Sequence, residues 1–296
     1  MKIARLTKNG IATYGIVNEN RVYTKHLLEQ ELELNLPATV GEFSELLLSN
    51  SELNTQIKKL IYSAGQKKAP ALKSVKLIAP IDGRPKVICV GLNYTDHANE
   101  QGVRPPDEPV IFMKPYTAII GPTDAIVYPP SIKKLDYEAE LGVVIGRICR
   151  GILKDEASDY ILGYTAFDDV SARDVQFKDG QWTRGKSFDT FAPIGPWIVT
   201  ADEITNPHAL KIMSRVNGEI RQNSNTGNMI FKVDEIVSFV SRVMTLDAGD
   251  IIATGTPSGV GIFMKPKPRL LNVGDIVEIE IEKIGKIRNP IVSGRV

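Results

Sequence analysis

The sequence LDYEAELGVVI, from Leu135 to Ile145, places two glutamates directly before a run of branched apolar residues. The apolar run favours a β-strand that is buried on both faces. Side chains alternate between the two faces of a strand, so Glu138 and Glu140 point in the same direction. Two adjacent carboxylates at the end of a buried strand repel each other and lose hydration, a cost that a bound cation removes. The stretch predicts either a metal site or a solvated strand end with two exposed glutamates.

The composition is that of an ordinary globular protein. The chain has 296 residues, 43% of them hydrophobic, which is enough for one large domain or for a main domain with a smaller one. The 36 basic residues nearly balance the 35 acidic ones, so neither nucleic acid nor membrane is expected as a partner. No apolar segment approaches the length of a membrane helix, and the N-terminus lacks the apolar core of a signal peptide. We therefore expect a cytoplasmic protein.

The cysteines and histidines do not indicate a zinc site. Cys89 and Cys149 each lie in an apolar, strand-like run without a second cysteine nearby, so we expect buried, reduced thiols. The chain has only three histidines, which makes a zinc site of the usual histidine and cysteine type hard to build.

The first part of the chain predicts a small unit of its own. Turn residues at Asn9-Gly10 and at Asn18-Glu19-Asn20 indicate short hairpins. From Val40 to Ala64 apolar residues recur at helical spacing, with an interruption near Asn50. A lysine-rich segment from Gly65 to Lys76 then predicts a linker. The predicted units are a small N-terminal β-plus-helix unit with its linker, residues 1–76, and a larger domain, residues 77–296.

A second group of polar residues follows a short apolar strand that ends at Gly91. His97 and Glu100 are three positions apart, so on one turn of helix they lie on the same face. A carboxylate that accepts a hydrogen bond from an imidazole fixes its tautomer and raises its basicity, as a general base requires. The alternative is an exposed helical turn with ordinary polar side chains. The glycine and prolines between Gln101 and Pro109 predict a mobile flap.

Two further segments carry polar groups that are candidates for binding. Tyr164 to Asp169 has the pattern of a strand that ends in carboxylates, and Asp169 approaches the two glutamates if the two strands are neighbours. The loop from Thr254 to Gly261 exposes backbone N–H groups that suit an anion such as a carboxylate, although a plain glycine-rich turn has the same pattern. The loop lacks the Gly-Lys-Ser/Thr ending of a P-loop, so nucleotide binding is not supported.

Several short motifs follow one another from about Lys86 to the C-terminus. They are GLNY with the following Asp96-His97, FMKP at 112–115, EAEL at 138–141, DVSARD at 169–174, KSFD at 186–189 and TGTP at 254–257. In this order they make the chain resemble the fumarylacetoacetate hydrolase family, close to acylpyruvate hydrolases and 2-hydroxyhepta-2,4-diene-1,7-dioate isomerases. The resemblance implies a mainly β fold with α (α+β), with a mixed, rolled β-sheet domain after the small N-terminal α/β unit. It also implies a homodimer.

The resemblance implies that Glu138, Glu140 and Asp169 bind a divalent metal. Asp168 is the nearest competitor, and the match of Asp169 to the start of the DVSARD motif favours Asp169. Three carboxylates form a hard oxygen site that suits Mg²⁺ or Mn²⁺. The implied catalytic residues are His97, Glu100 and Lys186, and the implied substrate contacts are Gln176, Thr256 and, in the flap, Arg104, which would meet a distal carboxylate.

The resemblance also implies a reaction through the enolate of a small 2-oxo acid that chelates the cation. Our leading expectation is a metal-dependent hydrolase that cleaves a C–C bond in a 2,4-dioxo acid of the acylpyruvate or fumarylpyruvate type. The pair of His97 and Glu100, which can activate water, motivates this choice. The alternatives are an isomerase or decarboxylase of the 2-hydroxyhepta-2,4-diene-1,7-dioate type, an oxaloacetate decarboxylase, a 2-keto-3-deoxy sugar acid dehydratase and a non-catalytic metal-binding protein.

Overall fold

The computed structural model describes residues 1–8, 10–63 and 69–294, in which β-strands predominate over helices. The strands are β1 (Lys2–Lys8), β2 (Ile11–Asn18), β3 (Arg21–Thr24), β4 (Lys76–Ile78), β5 (Val87–Gly91), β6 (Val110–Lys114), β7 (Ile119–Ile120), β8 (Ile126–Tyr128), β9 (Leu135–Asp136), β10 (Ala139–Ile145), β11 (Ile161–Asp168), β12 (Ser171–Ala172), β13 (Ala192–Thr200), β14 (Lys211–Val216), β15 (Glu219–Asn225), β16 (Ile251–Ala253), β17 (Ile276–Ile281) and β18 (Gly285–Ser293).

Short helices connect many of these strands. The α-helices are α1 (Lys25–Leu32), α2 (Val40–Ser49), α3 (Ser51–Ser63), α4 (Thr95–Gln101), α5 (Arg173–Asp179), α6 (Thr183–Lys186) and α7 (Val233–Val243). Single 3₁₀ segments are found at Leu72–Ser74, Tyr116–Ala118, Lys154–Tyr160, Thr226–Asn228 and Gly261–Phe263. None of the helices in the described ranges is long and apolar enough to cross a membrane.

A large mixed sheet forms the centre of the fold. Its strand order is β3-β2-β1-β13-β11-β10-β16-β5-β6, with β4 beside β1 and β7 beside β13. β10 lies in the middle, between β11 and β16, and all of its residues are buried. The predicted strand with two buried faces is therefore confirmed. A second sheet has the order β15-β14-β17-β18-β8, and β9 pairs with β12.

The two faces of the large sheet pack against different layers. Val143 on β10 belongs to a core shared with α7 and the second sheet, including Val237 and Ile279. Its neighbour Val144 points the other way, into a core shared with α2 and α3, including Phe43 and Ile57. Because adjacent side chains of one strand enter both cores, β10 must be apolar along its whole length.

The N-terminal hairpins extend the large sheet. β1 pairs antiparallel with β13, with Ile3 opposite Ile198, and the predicted turn after Asn18 joins β2 to β3. The predicted helical region forms α2 and α3, interrupted at Asn50 as expected. Asn9 of the other predicted turn and residues 64–68 of the predicted linker lie outside the described residues. The division into two domains near residue 76 stays a prediction.

Both cysteines are free and buried, as predicted. Cys89 lies on β5, in the core that faces α2 and α3. Cys149 follows β10 and belongs to the opposite core. Burial raises the pKa of both thiols, which disfavours the reactive thiolate form.

Candidate active site

Strand pairing brings together the carboxylates predicted to bind a metal. β10 and β11 run antiparallel with Ala139 opposite Asp168, so Glu138 and Asp169 meet at one end of the pair. Asp169 donates its backbone N–H to the carbonyl of Glu138 at 3.0 Å. One carboxylate oxygen from each of Glu138, Glu140 and Asp169 lies within 4.8 Å of the others, and all three side chains are buried. Because both glutamates are buried, the alternative of a solvated strand end with exposed glutamates is excluded.

We call Glu138, Glu140 and Asp169 the carboxylate cluster. Buried basic side chains contact two of its three carboxylates. Lys186 Nζ lies 2.7 Å from Glu138 Oε2 and 2.7 Å from Asp169 Oδ2. Arg173 Nη1 lies 2.6 Å from the other oxygen of Glu138, and the Lys114 ammonium contacts the other oxygen of Asp169. Burial alone would raise the pKa of Glu138, but Lys186 and Arg173 outweigh it and hold the pKa at about 2.

Glu140 has a different environment. The backbone N–H of Gly255 donates to its Oε2 at 2.8 Å, and no basic side chain of the described residues forms an ion pair with it. Burial, together with the nearby Asp169 and Glu138, raises the pKa of Glu140 well above its ordinary range. A buried carboxylate that has no basic partner fits a divalent cation, and the all-carboxylate donor set matches the ligands that Mg²⁺ and Mn²⁺ prefer.

Asp168, the competing candidate, is not part of the carboxylate cluster. Its Oδ1 accepts the backbone N–H of Glu138 at 2.9 Å, so this carboxyl group supports the start of β10. Burial raises the pKa of Asp168 to about 8. Among the described residues the three-carboxylate group contains Asp169 and not Asp168.

His97 and Glu100 form a hydrogen-bonded pair on α4. His97 Nδ1 lies 3.1 Å from Glu100 Oε2, and the backbone N–H of Gly259 donates to Glu100 Oε1 at 2.9 Å. Gln101 Nε2 lies 2.7 Å from His97 Nε2. Because an amide NH₂ group can only donate, His97 Nε2 accepts and Nδ1 carries the proton that is donated to Glu100. The alternative of an exposed helical turn is excluded, since His97 is buried.

One cavity of about 140 Å³ is lined both by His97 and by two members of the carboxylate cluster, Glu138 and Glu140. Its polar wall includes His97, Glu138, Glu140 and Lys186, and its apolar wall includes the aromatic residues Phe112, Phe177, Trp182 and Phe263. Ligand pockets commonly measure about 300 to 1,000 Å³, so this cavity suits a small ligand. A wider groove of about 940 Å³ beside Leu72 and Lys286 contains none of these acidic or imidazole groups.

The predicted substrate contacts Gln176 and Thr256 also line this cavity. Gln176 Oε1 accepts a hydrogen bond from Arg173 Nη1 at 3.0 Å. Thr256 Oγ1 donates to the carbonyl of Ala139 at 2.9 Å and accepts from Gln222 Nε2 at 2.8 Å. Both side chains are therefore held in place by the protein, and their contact with a substrate stays a prediction.

Arg104 is not part of this group. Its side chain is 87% exposed, and its guanidinium group lies 3.5 Å from Asp107 in the same flap. It is not among the residues that line the cavity. The predicted contact of Arg104 with a distal carboxylate is not available in this arrangement and stays a prediction.

The sequence predicts that the glycine-rich loop after β16 is either an anion site or a plain turn, and the structure shows that part of its backbone has a third role. Several of its N–H groups bind carboxylates of the protein itself, so these groups are not available to a substrate anion. The pairs are Gly255 with Glu140 at 2.8 Å, Gly259 with Glu100 at 2.9 Å, and Gly261 and Ile262 with Asp136 at 2.8 and 3.0 Å.

The predicted site residues omit three polar side chains that contact this site. Lys114 and Arg173 lie within the FMKP and DVSARD motifs, but a basic residue in a short motif does not reveal which distant acid it meets. Gln101 is the first residue of the predicted flap. Its spacing of four residues from His97 is the signal that indicates a shared helix face.

Comparisons with known proteins agree with the motifs. The family described as "Fumarylacetoacetate (FAA) hydrolase C-terminal" matches residues 86–292. A protein of Xenopus laevis named "Oxaloacetate tautomerase fahd2, mitochondrial" is 45% identical over 260 residues, covering 87% of this chain and 80% of its own. The solved 2-hydroxyhepta-2,4-diene-1,7-dioate isomerase from Mycobacterium marinum is 37% identical with a TM-score of 0.76, covering 100% of both chains. The maleylpyruvate hydrolase from Sphingobium sp. SYK-6, solved with manganese (II) ion and pyruvate, is 29% identical with a TM-score of 0.79 and the same coverage.

Proposed function

The chain belongs to the fumarylacetoacetate hydrolase family, and on that premise we propose that it is a metal-dependent tautomerase that interconverts the enol and keto forms of oxaloacetate. One observation carries the proposal: a single small cavity is lined by the His97 side chain and by Glu138 and Glu140 of the carboxylate cluster. Enolisation of a 2-oxo acid needs a base for the proton on C3 and positive charge near the C2 oxygen. The similarity to proteins named oxaloacetate tautomerase supports the choice of substrate.

Glu138, Glu140 and Asp169 would hold the cation, Mg²⁺ or Mn²⁺. When bound, the cation supplies positive charge for the carboxylate and the 2-oxo group of the substrate. The donor set supports this assignment, because three carboxylate oxygens are hard ligands. The manganese in the related maleylpyruvate hydrolase supports it as well.

The proton transfer is assigned to the chain's own residues. His97 Nε2 takes a proton from C3 of the keto acid after the substrate displaces Gln101. The electron pair of the C–H bond forms the C2–C3 double bond, and the C2 oxygen gains negative charge. The proton taken up by His97 is then returned to the C2 oxygen, which gives the enol and restores the neutral imidazole. Glu100 stabilises the imidazolium through its hydrogen bond to Nδ1, and Lys186 provides an ammonium group in the same cavity.

The size of the cavity supports a short substrate. A volume of about 140 Å³ is better matched to a four-carbon acid than to a seven-carbon dioate. A longer substrate would need the flap from Gln101 to Pro109, or the aromatic wall with Phe177 and Phe263, to move outward. This argument favours oxaloacetate over 2-hydroxyhepta-2,4-diene-1,7-dioate.

A second candidate function is the hydrolysis of a 2,4-dioxo acid. The hydrogen bond between His97 and Glu100 favours it, because an imidazole supported by a carboxylate can activate water. Water would give a proton to His97 Nε2 while its oxygen attacks the distal carbonyl carbon. The C–C bond would then break, and its electron pair would remain with the pyruvate half as an enolate.

The test is an assay with Mg²⁺ or Mn²⁺ and a panel of oxaloacetate, acylpyruvates and 2-hydroxyhepta-2,4-diene-1,7-dioate. We expect the ultraviolet absorbance of enol oxaloacetate to relax faster with the protein than with buffer or chelator-treated protein. Mass spectrometry should find no more pyruvate than the metal ion releases from the same substrates without the protein. Cleavage of acylpyruvates without faster relaxation of oxaloacetate would reject the tautomerase and support the hydrolase.

Two histidine variants make this assay specific for the site. His97→Asn should slow the tautomerisation by about 10² to 10⁴-fold, the usual contribution of a general base. His26→Asn is the matched control, because His26 is exposed on α1. Equal rates for the two variants would exclude His97 as the base.

A further inference from the structure

The side chain of Gln101 covers the cavity side of His97. Gln101 Nε2 lies 2.7 Å from His97 Nε2, and both residues line the cavity. The other ring nitrogen, Nδ1, lies 3.1 Å from Glu100 Oε2. Both nitrogens of His97 therefore have partners on the same short helix, at the spacings that place side chains on one face.

Gln101 occupies the basic lone pair of His97. A neutral imidazole has one such lone pair, and because Nδ1–H donates to Glu100, the lone pair is on Nε2. The Gln101 carboxamide donates to it. A water molecule that His97 is to activate must donate to this same lone pair, so water and Gln101 compete for one position.

The competition favours Gln101 because its carboxamide is tethered beside the ring. A tethered group has a high effective concentration, whereas fixing a water molecule costs up to about 2 kcal/mol. A 2-oxo acid held at the carboxylate cluster is also fixed in the cavity, so it can displace the amide. The displaced amide remains next to the ring and fills the space that a second molecule, water, would need. Phe263, with its ring 6.2 Å from the His97 ring, encloses the ring from another direction.

We propose that Gln101 is a positioning residue that keeps water from His97 Nε2 and so directs this site towards proton transfer rather than C–C hydrolysis. The inference rests on the proposed tautomerase function and deepens it, because it names the residue that selects the reaction. The step that Gln101 suppresses is the transfer of a proton from water to Nε2 with attack of the water oxygen on the distal carbonyl carbon.

Two substitutions distinguish the effect of the hydrogen bond to the Nε2 lone pair from the effect of the space that the Gln101 side chain fills. Gln101→Ala frees both, whereas Gln101→Met frees the lone pair but fills the space with an apolar chain of similar length. General-base catalysis contributes about 10² to 10⁴-fold, so Gln101→Ala should raise acylpyruvate hydrolysis by about tenfold or more. Gln101→Met should leave hydrolysis at the wild-type level.

A matched control is available on another helix. Gln56 on α3 is exposed and lies 3.4 Å from Glu52, four residues earlier, so it copies the spacing of Gln101 and His97 away from the cavity. Gln56→Ala should change neither the hydrolysis nor the tautomerisation rate. Thermal unfolding of all three variants confirms that rates are compared between folded proteins.

Nitrogen-15 NMR of the imidazoles detects a change that would not occur if Gln101 had a purely structural role. The chain has only three histidines, so each signal can be assigned by substitution. In the wild type, Nδ1 of His97 should carry the proton and Nε2 should accept a hydrogen bond. Both Gln101 variants should shift the Nε2 signal of His97 and leave the signals of His26 and His208 in place.

The proposal is supported if Gln101→Ala gains hydrolysis, Gln101→Met does not, and both shift the Nε2 signal. It is overturned if the Nε2 signal does not shift in the two variants. It is also overturned if Gln101→Ala hydrolyses acylpyruvates no faster than the wild type does, or if Gln101→Met hydrolyses them as fast as Gln101→Ala. The tautomerase function fails separately, through an unchanged rate of oxaloacetate relaxation with the wild type, because the hydrolysis and NMR measurements do not depend on that rate.

Discussion

The buried charges of the site are balanced unevenly among its carboxylates. Both oxygens of Glu138 and both oxygens of Asp169 contact basic side chains, whereas Glu140 has a single backbone N–H donor. A buried carboxylate without a cationic partner costs folding free energy. Glu140 therefore weakens the fold unless a cation binds, which is the usual sign that a buried charge serves binding or catalysis.

Replacing this glutamate should have opposite effects on metal binding and on folding stability. We expect Glu140→Gln to weaken Mn²⁺ binding by about 100-fold or more, since even outer partners of metal ligands contribute about 10 to 100-fold. Without added metal, the same change should raise the free energy of unfolding, because it removes a buried charge. Titration calorimetry and denaturant unfolding measure the two effects. Glu45→Gln, on the exposed side of α2, is the control, and equal Mn²⁺ affinities for the two variants would contradict the assignment.

At the level of elements, the loop after β16 joins separate parts of the site. Its backbone N–H groups hold Glu140 of β10, Glu100 of α4 and Asp136 of β9. Asp136 in turn accepts a hydrogen bond from Arg173 Nε at 2.8 Å. The loop therefore also helps to orient Arg173, which contacts Glu138 of the carboxylate cluster. The loop is therefore a scaffold for the site's carboxylates, and at Gly261 an added Cβ would lie 2.5 Å from Asp136 Oδ1.

Gly259 is the position in this loop where a side chain should be most damaging. Its φ angle is +102°, and an added Cβ would lie 2.2 Å from the carbonyl oxygen of Arg221. We expect Gly259→Ala to shift the loop, break the bond to Glu100 and lower both stability and activity. Gly274 is the control, since its φ is +95° and a Cβ there meets nothing within 4 Å. Gly274→Ala should cost only the backbone strain, about 1 to 2 kcal/mol, in denaturant unfolding. Similar losses for both variants would contradict the prediction.

His208, which contacts the start of α7, should make the stability of the fold depend on pH. His208 Nε2 accepts the backbone N–H of Val233 at 3.1 Å, and burial lowers the pKa of His208 below its ordinary 6.5. The unfolded chain therefore binds this proton more tightly, so the contribution of His208 is present above pH 6.5 and is lost as the pH falls through its lower folded value. His208→Gln should flatten the dependence of the unfolding free energy on pH in this window, and His26→Gln should not. An equally steep dependence in His208→Gln would exclude this origin.

At the scale of the whole molecule, the N-terminal segment is part of the central sheet. β1 pairs with β13, and the core above this face combines Phe43 and Ile57 with Val144 and Ile198. Removing the first 76 residues would expose both this apolar surface and the edge of β13. We therefore expect the segment 77–296 alone to aggregate or to unfold at a lower denaturant concentration than the full chain. Circular dichroism and light scattering test this, and a cooperative unfolding transition at the same denaturant concentration would contradict it.

The homodimer and the cytoplasmic location stay predictions from the sequence. Light scattering coupled to size-exclusion chromatography measures the first directly. We expect a mass close to twice the 32.6 kDa of the chain. A mass that stays at 32.6 kDa over a wide range of concentrations would show that the site acts within one chain.

Spacing along the chain was enough to predict the features that depend on one element. The alternation of β10 places Glu138 and Glu140 on the same side, and the spacing of α4 pairs His97 with Glu100. Side-chain direction within a strand or helix follows from local backbone geometry, so these relationships need no knowledge of neighbours. The same local rule, applied one residue further, predicts the contact of Gln101 with His97.

The remaining partners depend on which elements become neighbours. Asp169 reaches Glu138 because β11 pairs with β10, while Lys114 arrives from β6 and Lys186 from α6. Gly255 reaches Glu140 from a loop more than one hundred residues later. Sheet order is set by how all the apolar surfaces pack together, and no local pattern encodes it. For the same reason several of the loop's N–H groups, which the sequence suggests are available to a substrate, are bound to the protein's own carboxylates in the folded chain.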